Sequence, residues 1–186
     1  MKKISGRVVA RLLHPRPACI VIAKSRNGWV NGCTVAWTTP VNAEPAIVAI
    51  SLAYKRLTYQ YLKESGEFTI NVLPKRMINS VHYVGVVSGR EVEDKLGRAG
   101  FRLKESEVIK TPGIEGALAI LECRVKDEVK YPDHALITGE VVHAVADEKY
   151  FTESHYSELA EVLLHVGGDT YTVPGTYAQA KEQTPT

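Results

Sequence analysis

Short segments in which apolar and polar residues alternate recur along most of this chain. In residues 67–73, Phe68, Ile70 and Val72 share one face while polar side chains occupy the other, which is typical of a half-buried strand. Residues 119–126 alternate in the same way. The pattern also predicts strands over residues 8–13, 19–24, 34–37, 46–52 and 134–145, with a bulge or bend at Gly139 in the last of them.

Helical periodicity is brief by comparison. The clearest helix is predicted over residues 54–65, with Gly66 as its stop. Weaker patterns predict helices over residues 75–83 and 91–99, the latter with a capping box from Ser88 to Glu91. An Asn-Gly pair within residues 26–29 predicts a hairpin turn. Many strands with few helices favour a mostly β (α+β) fold, an antiparallel barrel or sandwich, over a parallel sheet.

Size and composition place the chain among ordinary globular domains. Its 186 residues suit one domain, predicted over 1–174, followed by a polar tail or arm over 175–186. A formal net charge of +2 does not by itself indicate a nucleic-acid or membrane partner. The three cysteines are widely spaced, and no stretch reads as a leader or membrane span, so we expect a cytoplasmic protein.

Residues 47–58 carry the clearest local signal for a ligand. A predicted strand runs into a predicted helix, which places free helix N–H groups beside Lys55, Arg56 and the hydroxyl of Thr58. Such a junction suits an anion, and a phosphate monoester is its natural ligand. The alternative is a solvated Lys-Arg pair on an exposed turn, with Ser51 as an ordinary cap.

Two further stretches allow a ligand without requiring one. Residues 28–40 are small and apolar around a Gly-containing turn, so their backbone could approach a flat ring, but on physical grounds alone a core strand with an aromatic anchor explains them better. Ser88, Arg90 and Lys95 could close over a phosphate or remain solvated. The histidines lack metal-ligand spacing, and Gly-rich dinucleotide and P-loop motifs are absent from the sequence, so no metal site is predicted.

In their order, these segments resemble the flavin-reductase-like family of FMN-binding split barrels, which includes flavoredoxins, archaeal ferric reductases and reductase components of monooxygenases. The resemblance covers roughly residues 13–171. It rests on the segments 15–17, 31–41, 45–58, 65–73, 88–96, 133–141 and 165–171.

The resemblance implies an antiparallel Greek-key split barrel with a few short helices, which forms a homodimer and holds FMN near the dimer interface. By similarity, Asn31, Thr34, Val35, Ala36 and Trp37 line the flavin ring, and Ser51, Leu52, Lys55, Arg56 and Thr58 hold the ribityl chain and phosphate. Ser88, Arg90 and Lys95 match a loop that closes on the cofactor. His134 matches a histidine near the nicotinamide side and is expected to orient the substrate.

The function implied is an FMN-dependent NAD(P)H oxidoreductase that passes electrons to free flavin, ferric chelates or a partner protein. Hydride chemistry belongs to the flavin, which fits the lack of an acid–base constellation in the sequence. The alternative within the fold is an FMN-binding electron carrier without a productive nicotinamide site. An oligonucleotide-binding barrel ranks third, because few aromatic residues lie among the basic ones.

Overall fold

The computed structural model describes residues 1–178 and 180, and within them the chain is mostly antiparallel sheet. The strands are β1 (Arg16–Pro17), β2 (Cys19–Lys24), β3 (Val30–Val35), β4 (Thr38–Asn42), β5 (Ile47–Ala53), β6 (Glu67–Val72), β7 (Leu103–Lys104), β8 (Gly113–Ile114), β9 (Ala119–Lys130), β10 (His134–Ala146), β11 (Leu164–Gly167) and β12 (Thr170–Thr172). The α-helices are α1 (Leu57–Ser65), α2 (Ile78–Val86) and α3 (Lys95–Arg98), and 3₁₀ helices span Gly6–Leu13, Lys75–Met77 and Glu158–Ala160.

Seven of the described strands form the main sheet, in the order β3-β2-β6-β9-β10-β5-β4, and every neighbouring pair is antiparallel. The two edge strands, β3 and β4, are joined by Ala36 and Trp37 alone. A link of two residues spans only about 10 Å. The sheet must therefore curl until its edges nearly meet, which gives the predicted Greek-key split barrel, with the split at this link.

Strand β2 is buried on both faces and so divides the interior into two clusters. Cys19, Val21 and Ala23 point into the barrel, where Phe68 packs on them. Residues of the opposite face, such as Ile20, pack against α2 and α3. This double burial explains why residues 19–23 read as an unbroken apolar run.

Several local features agree with the sequence-based expectations. Gly66 ends α1 in the left-handed conformation, with φ of 71°, and its N–H donates to the Leu62 carbonyl. Residues 25–29 form the turn between β2 and β3. The pairing of β10 with β9 shifts register at Gly139, where a Cβ would lie 2.6 Å from the Phe68 ring.

Two strand predictions need correction. Residues 8–13 belong to a 3₁₀ helix, Gly6–Leu13, which we call the N-terminal arm, and all eight of its residues remain at least partly exposed. The apolar residues of the arm do not alternate along it, because Val8 and Val9 are adjacent, as are Leu12 and Leu13. The strand predicted over 34–37 begins earlier, at Val30, and ends at Val35.

Two helix predictions also change. The helix predicted from residue 54 begins at Leu57, because β5 continues to Ala53. Of the helix predicted over 91–99, only Lys95–Arg98 is helical. Asp94 adopts a positive φ of 48° and caps α3 by accepting from the Gly97 N–H, so the Ser88 capping box does not form.

The outer face of β6 is buried, contrary to the prediction of a half-buried strand. Thr69 and Asn71 are fully buried, because residues 105–118 fold over them. The Asn71 side chain accepts from the Ile114 N–H and donates to the Ile20 carbonyl. Glu122, on neighbouring β9, is likewise buried and accepts from three consecutive backbone N–H groups, at residues 107–109.

The predicted domain boundary at 174 stays a prediction. Tyr177, inside the predicted tail, donates to the Tyr156 carbonyl through its hydroxyl and to Glu158 through its N–H. Residue 179 and residues 181–186 of that tail lie outside the described residues. Among the helices of the part that the structure describes, none has the length and apolar character needed to cross a membrane.

Candidate functional site

A cleft of about 1120 Å³ opens at the split of the barrel. The β3–β4 link, the end of β5, the start of β10, the N-terminal arm and β11 surround it. Its lining comprises Gly6, Arg7, Val9, Ala10, Arg11, His14, Cys33, Thr34, Val35, Ala36, Trp37, Ser51, Leu52, Ala53, Tyr54, Lys55, Arg56, Asp133, His134 and His165.

The β3–β4 link forms one wall of the cleft. The hydroxyl of Thr34 donates to the Val81 carbonyl, and its side chain packs against Gly85, which fixes the end of β3 on α2. The Trp37 carbonyl accepts from the Ser51 N–H at 2.9 Å. Trp37 remains 39% exposed and lines the cleft, so an aromatic residue is available to a ligand there.

Lys55 and Arg56 form the basic end of the cleft, between the last residue of β5 and the first of α1. The Arg56 guanidinium donates to the Gly85 carbonyl at 2.9 Å, which holds its side chain in place. The first turn of α1 contains no acidic residue, and no ion pair within residues 1–178 and 180 involves Lys55 or Arg56. Their charges are therefore available to an anion.

A buried polar cluster lies against this basic end. The side-chain amide of Asn31 donates to the Thr58 hydroxyl at 2.8 Å, and Thr58 is fully buried. Burial raises the pKa of the Cys33 thiol, opposed by the Thr58 hydroxyl and by the charges of Arg56 and Lys95. Cys33 lines the cleft, whereas Asn31 and Thr58 support its wall from within.

Lys95 is buried and its ammonium donates to two backbone carbonyls, those of Val84 and Val87, at 3.1 Å each. Burial lowers the pKa of Lys95 to about 8, and the neighbouring Arg56 acts in the same direction. Lys95 therefore supports the loop beside the basic end and adds positive charge there below pH 8.

The loop that carries Ser88 and Arg90 passes close to the cluster, but these two side chains do not line the cleft. The Ser88 hydroxyl accepts from the Arg90 N–H, and the Arg90 guanidinium donates to Gln60 at 3.1 Å. A Cβ on Gly89 would collide with the Asn31 side chain, so glycine permits this close approach.

His134 stands beside Trp37, with ring centroids 5.2 Å apart and planes at 30°. Its Nδ1 lies 2.8 Å from an Asp133 carboxylate oxygen. This contact holds the pKa of Asp133 below its ordinary value, and it directs the proton to Nδ1 in the neutral ring. Asp133 is thus a site residue that our sequence analysis did not select, although its position next to His134 was a signal for it.

Nine of the fourteen residues selected from the sequence line the cleft, namely Thr34, Val35, Ala36, Trp37, Ser51, Leu52, Lys55, Arg56 and His134. The other five do not line it: Asn31, Thr58 and Lys95 are buried beside it, and Ser88 and Arg90 lie on the adjoining loop. Ser51 lies within β5 and is not a helix cap. The arm residues were missed because residues 8–13 were predicted to be a strand. His165 was missed because only the pairing of β11 with β1, which are distant in the chain, brings it to the cleft.

Comparison with known proteins agrees with this architecture. The family model described as "Flavin reductase like domain" matches residues 10–173. An uncharacterised protein of Archaeoglobus fulgidus is 32% identical over 120 residues, which cover 64% of this chain and 67% of that protein.

Solved structures extend the likeness to the fold. Flavoredoxin from Methanosarcina acetivorans is 28% identical, with a TM-score of 0.86 over 97% of this chain and 94% of that one. An FMN-binding protein from Thermus thermophilus, solved with p-hydroxybenzaldehyde, is 26% identical, with a TM-score of 0.79 over 96% and 97% of the two chains. The chain belongs to the flavin reductase-like domain family.

Proposed function

We propose that the protein binds FMN in the cleft and is an FMN-dependent NAD(P)H oxidoreductase that passes electrons to free flavin, ferric chelates or a partner protein. The proposal rests on one observation: partly exposed Trp37 lines the same cleft as Lys55 and Arg56, two basic residues without an ion-pair partner in the described part of the chain. Membership of the family and the likeness to an FMN-binding protein of Thermus thermophilus support it.

The donor set of the cleft fits FMN at both ends of that molecule. Lys55 and Arg56 would hold the phosphate at the start of α1, where helix N–H groups add to their charge. The stretch Thr34–Trp37 would meet the ring system through backbone and indole. The chemistry that bound FMN would supply is hydride uptake and electron release.

The remaining residues would position these groups. Asn31 and Thr58 fix the inner wall, and Lys95 anchors the neighbouring loop through two backbone carbonyls. His134, oriented by Asp133 and stacked near Trp37, would set the position of the nicotinamide. In this proposal His134 holds the donor in place and transfers no obligatory proton.

A non-catalytic FMN-binding carrier is the alternative, and the 28% identity to a flavoredoxin favours it. Such a carrier would share the FMN site but would not accept electrons from NAD(P)H.

The surface and the cysteines bear on assembly and location. Large apolar side chains are exposed on the arm (Leu12 and Leu13), in the β2–β3 turn (Trp29), on β4 (Val41) and at the end of α2 (Val86). Exposed apolar side chains of this kind often mark an interface with a partner chain, which supports our proposal of a homodimer. All three cysteines are free and buried, which suits the reducing cytoplasm that we propose as its location.

Anaerobic absorption spectroscopy tests the proposal. The FMN-loaded protein is mixed with NADH and, separately, with NADPH, and dithionite reduction provides the fully bleached reference. We expect one of the nucleotides to bleach the flavin absorbance. A flavin spectrum that neither nucleotide changes would instead support the carrier, and a protein that takes up no FMN would refute both.

A further inference from the structure

The turn between β9 and β10, residues 131–133, carries Asp133 and His134 to the edge of the cleft. The pairing of β10 with β5 begins at His134 and Ala53, so the turn lies beyond the end of that ladder. All three residues of the turn are exposed. An exposed turn opens easily unless contacts from elsewhere in the chain hold it. The position of His134 therefore depends on what fastens the β9–β10 turn.

Tyr54, the residue that follows β5, fastens this turn with three hydrogen bonds. Its hydroxyl donates to the Tyr131 carbonyl at 2.7 Å and accepts from the Tyr131 N–H at 3.1 Å. Its backbone N–H donates to the Asp133 carbonyl at 3.3 Å. Because the hydroxyl has only one proton and donates it to the turn, Tyr54 does not donate to a ligand while the turn is held.

The ring of Tyr54 is itself supported on the side of the barrel. It meets the Tyr59 ring edge-on, with centroids 5.3 Å apart and planes at 72°, and both residues pack against the barrel core. The Tyr59 hydroxyl donates to Glu128 on β9 at 2.6 Å, and Glu128 also pairs with Lys63. These contacts fix the ring from which the Tyr54 hydroxyl reaches the turn.

Tyr54 also directly precedes the basic end of the cleft, formed by Lys55 and Arg56. That end has a separate anchor, because the Arg56 guanidinium donates to the Gly85 carbonyl at 2.9 Å. Loss of the Tyr54 hydroxyl should therefore free the β9–β10 turn and leave the basic end in place.

We propose that Tyr54 is a positioning residue, whose hydroxyl fixes the β9–β10 turn and thereby holds His134 at the cleft edge beside Trp37. This rests on the proposed function, in which His134 sets the position of the electron donor. Tyr54 acts only through the turn, and it neither accepts nor supplies a proton in the reaction.

Two single substitutions separate this role from ordinary structural support. Tyr54→Phe is the test variant, because it removes the hydroxyl and keeps the ring on Tyr59. Tyr59→Phe is the matched control, because it also removes one phenol hydroxyl. The Tyr59 hydroxyl contacts the Glu128 side chain and not the turn, and Tyr59 does not line the cleft.

Native-state amide exchange, followed by NMR in the full-length protein, measures the hold on the turn without any turnover. In Tyr54→Phe we expect the amides of Tyr131 and His134 to exchange about fivefold faster, which corresponds to the loss of one ordinary hydrogen bond. In Tyr59→Phe these two amides should stay within about twofold of wild type. The amide of Ile137, fully buried on β10, reports the stability of the whole fold in both variants.

Stopped-flow reduction of the FMN-loaded protein by saturating NADH or NADPH tests the consequence for His134. Tyr54→Phe should lower the limiting rate about fivefold and change the Kd for FMN by less than about twofold. Tyr59→Phe should change neither quantity by more than about twofold. The double variant Tyr54→Phe/His134→Ala should be reduced at the rate of His134→Ala alone, because Tyr54 then has no imidazole to position.

Wild-type exchange at Tyr131 and His134 in Tyr54→Phe, or an equal increase in Tyr59→Phe, would overturn the proposal. Rate losses that multiply in the double variant would also overturn it, because Tyr54 would then act independently of His134. A loss of FMN affinity as large as the loss in rate would do the same by placing Tyr54 in the FMN site. If neither nucleotide reduces the wild-type flavin, the proposed function fails, while amide exchange still decides whether Tyr54 fixes the turn.

Discussion

The hydrogen bond between Asn31 and Thr58 offers a quantitative test of how the site is built. Thr58 is fully buried and its hydroxyl accepts from the Asn31 amide at 2.8 Å. Thr58→Val keeps the shape of the side chain but leaves a buried N–H donor without its acceptor, which costs about 1–3 kcal/mol. For a chain of this size, about 2 kcal/mol corresponds to a fall in Tm of about 6 °C. Differential scanning calorimetry of the apoprotein measures it.

Thr58→Ser provides the matched control, because it keeps the hydroxyl and removes one methyl group. A double-mutant cycle with Asn31→Ala separates the hydrogen bond from packing, and we expect a coupling energy of about 1 kcal/mol. Additivity within about 0.3 kcal/mol would refute the structural role. So would a Thr58→Val protein with wild-type Tm but weakened FMN binding, because the hydroxyl would then contact the ligand directly.

Three further predictions concern the site and its support. His134→Ala should slow flavin reduction by NAD(P)H roughly tenfold in stopped-flow measurements, which corresponds to the loss of about one hydrogen bond. FMN affinity, measured by binding, should change little. Equal losses in reduction rate and in FMN affinity would make His134 a structural residue. Burial opposes ionisation of Glu122, but its three backbone N–H donors and His143 still hold its pKa below 4.5. The ionised carboxylate therefore stabilises the fold above pH 4.5, and this stabilisation is lost as the pH falls through the lower pKa of the folded state. Glu122→Gln should reduce Tm at pH 7, and the difference from wild type should shrink below about pH 4. A Tm difference that does not depend on pH would contradict this. FMN affinity should fall as the pH rises through about 8, where Lys95 loses its charge, and Lys95→Met should flatten that profile in fluorescence titrations; an unchanged slope would exclude Lys95.

The sequence was sufficient for features that depend on local chemistry. The left-handed stop at Gly66, the turn over residues 25–29 and the register shift at Gly139 follow from what glycine permits and from alternation along a strand. The basic end of the cleft was also predictable, because Lys55 and Arg56 stand between a strand and a helix whatever surrounds them.

The remaining features depend on contacts distant in the chain. The alternation along β6 places Thr69 and Asn71 on the side of the strand that is expected to face solvent. They are buried because residues 105–118 pack over β6. The adjacent apolar pairs within residues 8–13 argue against a strand, but the local pattern does not reveal that these residues form a 3₁₀ helix in the wall of the cleft. The arginines of that wall were therefore missed, although they lie in the same cleft as the predicted site.

The central claim is that the cleft at the barrel split binds FMN through Lys55 and Arg56. Its most direct test is a fluorescence titration of the apoprotein with FMN, comparing wild type, Lys55→Ala/Arg56→Ala and a control, Lys104→Ala/Lys110→Ala, which removes equal charge outside the cleft. We predict one FMN per chain for wild type and control, and a Kd at least about tenfold higher for the Lys55→Ala/Arg56→Ala variant. Equal affinity in all three proteins, or a wild-type protein that binds no FMN, would contradict the account.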